Sequence, residues 1–406
     1  MEEMVSSGLA GMDISGGDSD GAPAKKRGEK TKEARREKLS RGPPPSPSGE
    51  GLEEEPPDTE AREEDEIPCY RLLWDSRYAG EFGSFDDHTR LGPMRFTSGP
   101  IPRHARPECT MNIYYIRVYG LEDGLQWPLH VHGLVAARDS ADHNRNFLFN
   151  RTRDNCQILT QEVSTMYLSR SVCFANLFYF HSHFALQDPH LLLTGPCRAV
   201  VIIDPITIEF QLKVRSRTEP EEDELLAFRI FNYPQTYLSK HVIQSSILCK
   251  RCTIEFAYAP LVPSVEATVS IEVIDGVWPE HIRGRVIACI TTVSEGEMLL
   301  LDSRDGMMPI SPSTRIIELS RRVVSVDLKG GKLLVSVAPS QIGEVDNNND
   351  DDFVRGESVF EPKRAGKSHN MCDLGFCKIE VTVTWSLLSN LTDEWRAGLK
   401  RTDKRQ

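Results

Sequence analysis

The sequence contains one block of landmark residues twice, at a constant offset of 151 positions. A Trp-Pro pair, a histidine, a Gly-x-Val-x-Ala segment and an Arg-Asp pair form the first copy: Trp127, Pro128, His130, Gly133, Val135, Ala137, Arg153 and Asp154. The second copy has the same residues in the same order: Trp278, Pro279, His281, Gly284, Val286, Ala288, Arg304 and Asp305. The block therefore predicts two copies of one supersecondary unit.

The hydrophobic pattern after Thr110 has a period of two. Apolar and polar residues alternate over 206–214, 265–273 and 379–385, as expected for strands with one buried and one wet face. Gly, Pro, Asp and Asn punctuate these short runs. The pattern predicts an all-β protein, a tandem repeat of two antiparallel sandwich- or barrel-like units over 110–245 and 246–388.

Both ends of the chain differ from this region. Residues 1–67 hold 18 acidic and 10 basic residues, a net charge of −8, and few bulky apolar ones, so we expect a disordered charged tail. Its basic run over 25–41 fits either a nuclear-import signal or a solvated segment with a transient helix. Residues 68–109 predict an irregular aromatic-rich arm that packs on the domain, and 389–406 predict a second charged tail.

Composition excludes several classes of function. Residues 68–406 hold 42 acidic and 38 basic residues, so the folded part has no overall field that attracts nucleic acid. No run of about 18 apolar residues is present, so no membrane span is predicted. The start of the chain lacks an apolar signal segment, which predicts a cytoplasmic or nuclear protein that is not secreted, with reduced cysteines.

One segment of the first copy has no match in the second. Beyond the landmarks the offset falls from 151 to 124, a difference of 27 residues. The 25 residues Val163–Gln187 account for most of it, and they are rich in Phe, Leu, Ser and Tyr without strand or helix periodicity. We hypothesise a retained intron translated in frame, since a Val codon begins with GT and a Leu-Gln pair can end in AG. The alternative is a genuine loop with an exposed aromatic patch. Transcript reads across 162–188 distinguish the two, and the intron hypothesis fails if every read includes the segment.

Several motifs carry a resemblance. They are Gly83-Ser84-Phe85-Asp86-Asp87, Pro93-Met94-Arg95-Phe96-Thr97, Gly124-Leu125-Gln126-Trp127-Pro128-Leu129, Gly133-Leu134-Val135-Ala136-Ala137-Arg138-Asp139-Ser140, Asp142-His143-Asn144-Arg145-Asn146, Arg151-Thr152-Arg153-Asp154-Asn155-Cys156-Gln157, Leu193-Thr194-Gly195-Pro196 and Val265-Glu266-Ala267-Thr268. From Tyr70 to about Trp385 the chain resembles a plant family, abundant in grasses, known as a domain of unknown function. The resemblance implies a domain that occurs alone or fused C-terminally to some cereal ribosome-inactivating proteins, and it implies no catalytic residues.

Two groups of residues were considered as metal sites. The pairs Cys249/Cys252 and Cys372/Cys377 are similar to zinc knuckles, but reduced structural thiols explain them as well. Asp139, Asp142 and Asp154 could meet at a loop rim and bind calcium, or form a salt-bridged turn with Arg138 or Arg153. We predict the structural alternative in each case, and hence no catalytic, cofactor-binding or metal residue and no cofactor.

The sequence therefore predicts a non-enzymatic protein-interaction module with an unidentified protein partner and no small-molecule substrate. The toxin-fused relatives associate the family with stress or defence. They also provide the first alternative, a ribosome- or RNA-associated factor. The second alternative is a peripheral lipid- or calcium-binding sandwich.

Overall fold

A computed structural model describes residues 59–161, 188–216, 219, 222–233, 241–304, 306–341 and 353–389. The predicted tail up to residue 58, the segment 163–187 and residues 390–406 lie outside the described residues, as does Asp305. The first strands are β1 (Glu108–Tyr119), β2 (Leu129–Arg138), β3 (Arg145–Arg151), β4 (Gln157–Leu159), β5 (Val200–Val201), β6 (Ile206–Val214), β7 (Glu224–Tyr233) and β8 (Ile243–Leu248). They continue with β9 (Thr253–Gly276), β10 (Ile282–Ile290), β11 (Glu297–Asp302), β12 (Val323–Asp327), β13 (Leu333–Gln341), β14 (Gly356–Phe360), β15 (Gly366–Asp373) and β16 (Cys377–Ser386).

The strands form three antiparallel sheets, which confirms the predicted all-β class. The central sheet has the order β15-β16-β9-β1-β5, with β8 and β12 also paired to β9. A first outer sheet has the order β3-β2-β6-β7, with β4 beside β2, and a second has the order β11-β10-β13-β14. The described residues contain no helix that could cross a membrane.

Strand β9 takes part in two hydrophobic cores. Phe256 in its first half packs with the first outer sheet in one core, and Val269 in its second half packs with the second outer sheet in the other. The predicted boundary between 245 and 246 is therefore wrong, because it cuts through β8. The β8–β9 hairpin continues the first core past the predicted boundary, since Ile247 and Phe256 belong to the same cluster.

The two outer sheets share one arrangement. Strands β2 and β10 follow the two Trp-Pro pairs. Strand β2 lies between β3 and β6, and β6 pairs with the outermost strand β7. In the same way, β10 lies between β11 and β13, and β13 pairs with the outermost strand β14. Arg198 lies two positions before β5, and Arg321 lies two positions before β12. This common order supports the predicted internal repeat, which stays a prediction.

The start of the folded region differs most from the structure that the sequence predicts. Residues Thr59–Phe82 form helix α1, where we expected the end of a tail and an irregular arm. Pro68 lies inside this helix, although proline usually marks a boundary. The overlooked signal is a row of aromatic residues at helical four-residue spacing: Tyr70, Trp74, Tyr78 and Phe82. These rings face β7 and cluster with buried Phe85, so packing overrides the local penalty of proline.

Side chains of α1 also satisfy backbone groups of the first half. Glu63, which is buried, accepts hydrogen bonds from the backbone N–H of Phe228 at 3.0 Å and of Lys250 at 2.6 Å. Glu66 pairs with Arg229 at 3.0 Å. Because Phe228 lies on the outermost strand β7, the helix covers a sheet edge that would otherwise present unpaired donors.

Candidate functional site

Arg198 organises a buried ionic cluster in the first half. It donates to both carboxylate oxygens of Asp139, at 2.6 and 2.9 Å, and to Asp142 at 2.9 Å. Asp142 also accepts from the hydroxyl of Thr89 at 2.5 Å. Burial lowers the pKa of Arg198, but the charge and hydrogen bonds of Asp139 together with the charge of Asp142 outweigh it, so the pKa lies above its ordinary value.

The contacts of this cluster bear on the two interpretations of the aspartates. Asp139 and Asp142 form the salt-bridged structure that was predicted, but their partner is Arg198 and not Arg138 or Arg153. Asp154 is exposed in a short 3-10 helix, Arg153–Asn155. Calcium requires several carboxylate oxygens free to converge, whereas these two carboxylates are already occupied by protein donors. The described residues contain no group of three or more His, Cys, Asp or Glu placed to hold a metal.

A second arginine cluster anchors the segment after α1. Glu209 accepts from Arg138 at 2.8 Å and from Arg145 at 2.6 Å. Arg138 donates to the carbonyl oxygen of Phe85 at 2.6 Å, and its guanidinium lies 3.9 Å from the centre of that ring. Burial lowers the pKa of Arg138. Charge, ring and backbone contacts thus hold the aromatic segment on the first outer sheet.

Arg321 differs from both clusters. It is 3% exposed, and one guanidinium nitrogen donates to the carbonyl oxygen of Ile113 at 2.8 Å. Its Nε has no hydrogen-bond partner, and no carboxylate among the described residues forms an ion pair with it. Burial lowers the pKa of Arg321 to about 10. At the positions 151 residues beyond Asp139 and Asp142 stand Ile290 and Val293.

Glu266 is a further buried carboxylate, and sequence analysis did not single it out. It lines a small pocket with Arg198 and Ser386. Its two oxygens accept the backbone N–H of Met94 at 2.7 Å and of Ala199 at 2.8 Å. Burial raises the pKa of Glu266. Both oxygens bind backbone donors from different segments, so the residue positions the chain around the pocket.

The two cysteine pairs considered as zinc knuckles lie in two hairpins. Cys249 and Cys252 flank the β8–β9 turn, while Cys372 lies on β15 opposite Ile379 and Cys377 begins β16 opposite Gly276. The Cys372 thiol contacts the hydroxyl of Ser358 at 3.2 Å. The two pairs belong to opposite ends of the central sheet, because β8 pairs with the first half of β9 and β16 with the second.

The duplicated histidines and arginines have different environments in the two halves. His130 is half-buried, with Nδ1 3.8 Å from the sulfur of Cys156, whereas His281 is exposed. Arg153 pairs with Asp223 at 2.9 Å, and Arg304 pairs with Asp188 at 3.4 Å.

The outer surface of the central sheet carries exposed carboxylates beside exposed apolar side chains. Four residues lie in one line across four neighbouring segments, joined by three register pairings: Ile316, Glu272, Glu380 and Met371. We call these four residues the acidic row. Met371 is 67% exposed and Ile316 37%, and Ile274, two positions from Glu272 on the same strand, is 38% exposed.

The centre of the acidic row is unfavourable in the isolated molecule. Glu272 and Glu380 are paired in register, and like charges directly opposite on a sheet repel each other. His369 lies 3.5 Å from Glu380, but Glu272 forms no ion pair within the described part of the chain. Two adjacent carboxylates between apolar side chains can bind a cationic group that carries apolar neighbours.

Comparison with known protein families identifies most of the described region. A family model for a domain of unknown function, DUF6598, matches residues 110–383. The chain belongs to the DUF6598 family. This confirms the predicted domain of unknown function, while plant origin, grass abundance and fusion to ribosome-inactivating proteins stay predictions. No curated protein matches the sequence.

Solved structures add no functional information about this DUF6598 domain. Human GIVD cytosolic phospholipase A2 aligns with 6% sequence identity and a TM-score of 0.20. The alignment covers 70% of this chain and 33% of that enzyme, so the matched part spans about a third of its length. At that TM-score the likeness carries no argument about fold or activity.

Proposed function

We propose that this DUF6598 protein is a non-enzymatic protein-interaction module, and that the acidic row is its binding surface. The observation that carries the proposal is the register pairing of Glu272 with Glu380, flanked by exposed Met371 and Ile316. The partner is a protein segment that presents Lys or Arg between apolar side chains.

The energetics favour such a partner. Repulsion between two opposed carboxylates costs roughly 0.2–1 kcal/mol on a sheet surface, and a cation placed between them removes this cost. The apolar neighbours bury surface on binding at about 25 cal/mol per Å². Each contribution is small, so specificity comes from matching both charge and apolar positions.

The alternatives have weaker support from the geometry. A ribosome- or RNA-associated role rests on the predicted toxin-fused relatives, whereas the carboxylates of the acidic row repel phosphate. A calcium-dependent lipid site rests on Asp139 and Asp142, whose oxygens already bind Arg198. The buried carboxylates Glu209 and Glu266 hold arginine or backbone donors, which supports a positioning role over catalysis.

A pull-down with matched charge reversals tests the proposal. The full chain, the variant Glu272→Lys and the control Glu122→Lys are immobilised, and bound plant proteins are identified with and without RNase. Glu122 is exposed in the β1–β2 connection, so both variants change the net charge equally. We expect the recovery of bound partners to be insensitive to RNase. Glu272→Lys should reduce this recovery by about tenfold or more, whereas Glu122→Lys should leave it unchanged.

Two results would contradict the proposal. Recovery of ribosomal proteins that RNase abolishes would favour the ribosome or RNA alternative. Partners retained equally by both variants would place the binding surface elsewhere. Circular dichroism of the purified variants confirms that each remains folded.

A further inference from the structure

Cys249 and Cys252 face each other across the turn between β8 and β9. Leu248 pairs with Thr253, and the backbone N–H of Cys249 donates to the carbonyl oxygen of Cys252 at 3.0 Å. Directly opposed residues in such a ladder have Cα atoms about 5.5 Å apart. A disulfide needs Cα atoms about 4.4–6.8 Å apart, so this turn can hold one without a change of register.

The two thiols differ in exposure. Cys252 is 2% exposed, and its sulfur lies 3.3 Å from the carbonyl oxygen of Leu226, whereas Cys249 is half-buried. Hydrogen bonding to the neighbouring Cys252 thiol, together with burial, raises the pKa of Cys249 above its ordinary value. Because Cys249 is the more exposed thiol, a reagent reaches its sulfur first, although the raised pKa keeps the thiolate fraction low and the exchange slow. Cys252 is placed to react with it afterwards.

The second cysteine pair provides an internal control. Cys372 lies opposite Ile379 and Cys377 lies opposite Gly276, so these two cysteines do not face each other. A zinc knuckle at the first pair would need two more ligands, and the described residues hold no group of three metal-binding side chains. Thiol chemistry within the pair needs no further ligand.

We propose that Cys249 and Cys252 form a redox-active dithiol that a low-molecular-weight disulfide, such as glutathione disulfide, converts to an intramolecular disulfide. Cys249 loses its proton to solvent, and its sulfur attacks one sulfur of the reagent. The reagent S–S bond breaks, a mixed disulfide forms, and the first glutathione leaves as a thiolate that takes up a proton. Cys252 then loses its proton and attacks the sulfur of Cys249, which releases the second glutathione. The protein loses two electrons, and the reagent is reduced to two thiols.

The turn also contacts helix α1. The backbone N–H of Lys250, between the two cysteines, donates to Glu63 at 2.6 Å. A disulfide restricts the turn in the geometry that makes this hydrogen bond. Oxidation is therefore expected to slow hydrogen exchange in the part of α1 around Glu63.

Mass spectrometry of the full chain tests the proposal. The protein is equilibrated in glutathione buffers of increasing oxidation, quenched with acid, alkylated and digested with trypsin. Trypsin cleaves after Lys250 and Arg251, so a Cys249–Cys252 disulfide joins two tryptic peptides that are otherwise separate. We expect this linked pair to increase with oxidation and to exceed a Cys372–Cys377 link by about tenfold or more.

Three results distinguish the outcomes. If Cys249 and Cys252 stay separately alkylated at every ratio, or link no more than Cys372 and Cys377, the proposal is wrong. The variant Cys252→Ser should stop at a glutathione adduct on Cys249, which supports the order of steps. An adduct-free Cys252→Ser protein would overturn that order. The wild-type measurement is independent of whether the variant folds.

Discussion

The two halves of the protein bury an arginine at the same place in their strand order, and they surround it differently. Arg198 precedes β5 and binds Asp139 and Asp142, whereas Arg321 precedes β12 and has no carboxylate partner among the described residues. The pKa of Arg198 lies above its ordinary value, and burial lowers that of Arg321 to about 10. Equal burial thus has opposite consequences for the pKa, because two acids bind Arg198, whereas Ile290 and Val293 stand 151 positions beyond those acids.

The largest expected effect comes from removing an acid of the first cluster. Asp139→Asn leaves Arg198 with a single carboxylate, and an incompletely compensated buried charge destabilises the fold by about 3–5 kcal/mol. The control Asp154→Asn changes an exposed aspartate of the same half and should stay within about 0.5 kcal/mol of wild type. Urea unfolding monitored by fluorescence gives both values. Equal effects of the two variants would show that the cluster does not stabilise the protein.

A double-mutant cycle tests whether a carboxylate introduced into the second half can pair with Arg321. Val293→Asp places a carboxylate at the position that corresponds to Asp142. We expect Val293→Asp to lower the unfolding free energy by about 1–3 kcal/mol less in the wild-type background than in Arg321→Met, because only the wild-type background has a cation to pair with the new carboxylate. Unfolding free energies of the four proteins give the coupling. A coupling near zero would mean that positions 293 and 321 do not correspond to the pair 142 and 198.

The pH dependence of Arg321 is the next prediction. Its pKa in the folded protein, about 10, is below its ordinary value of 12.5, so between these values the unfolded chain binds more protons than the folded one. The destabilisation by Arg321 is therefore fully present below pH 10 and decreases as pH rises above it. The free-energy difference between Arg321→Met and wild type should narrow above pH about 10, by up to about 1.4 kcal/mol per pH unit. A difference that stays constant to pH about 11 would contradict this.

The smallest effect is expected from shortening the first half. Thr160 and Asp188, which flank the segment 163–187, are hydrogen bonded to each other: the backbone N–H of Asp188 donates to the Thr160 hydroxyl at 2.7 Å. The backbone N–H of Thr160 also donates to the Asp188 carbonyl oxygen at 3.3 Å. Deletion of 163–187 should change the unfolding free energy by less than about 1 kcal/mol, since loop closure depends weakly on length. A loss of several kcal/mol would show that the segment belongs to the fold and would weaken the intron hypothesis.

The strands could be read from the sequence because alternation is local. The runs over 206–214, 265–273 and 379–385 lie within β6, β9 and β16, and the valines after the two arginines form β5 and β12. Helix α1 was missed because the four-residue spacing of its aromatic rings was not recognised in a segment that is also rich in Gly and Pro. Predicting this helix would have required following the aromatic spacing despite Pro68, which locally disfavours a helix.

The candidate surface and the buried clusters could not be derived in the same way. Glu272 and Glu380 were recognised as the wet side of two strands, but only the register shows that they are adjacent. Arg198 and Asp139 are 59 positions apart, and nothing in local pattern connects them. Long-range pairing decides which charges meet, and one sequence does not contain that information in its periodicity.

The most direct test of the comparison is to measure Arg198→Met and Arg321→Met side by side in the same buffer. We expect opposite outcomes. Arg198→Met should lose about 3–5 kcal/mol of unfolding free energy because two buried carboxylates lose their cation. Arg321→Met should be as stable as wild type or more stable, since a buried cation without an acid is replaced by an apolar side chain. Similar losses in both variants would contradict the claim that the two halves differ in how they compensate a buried charge.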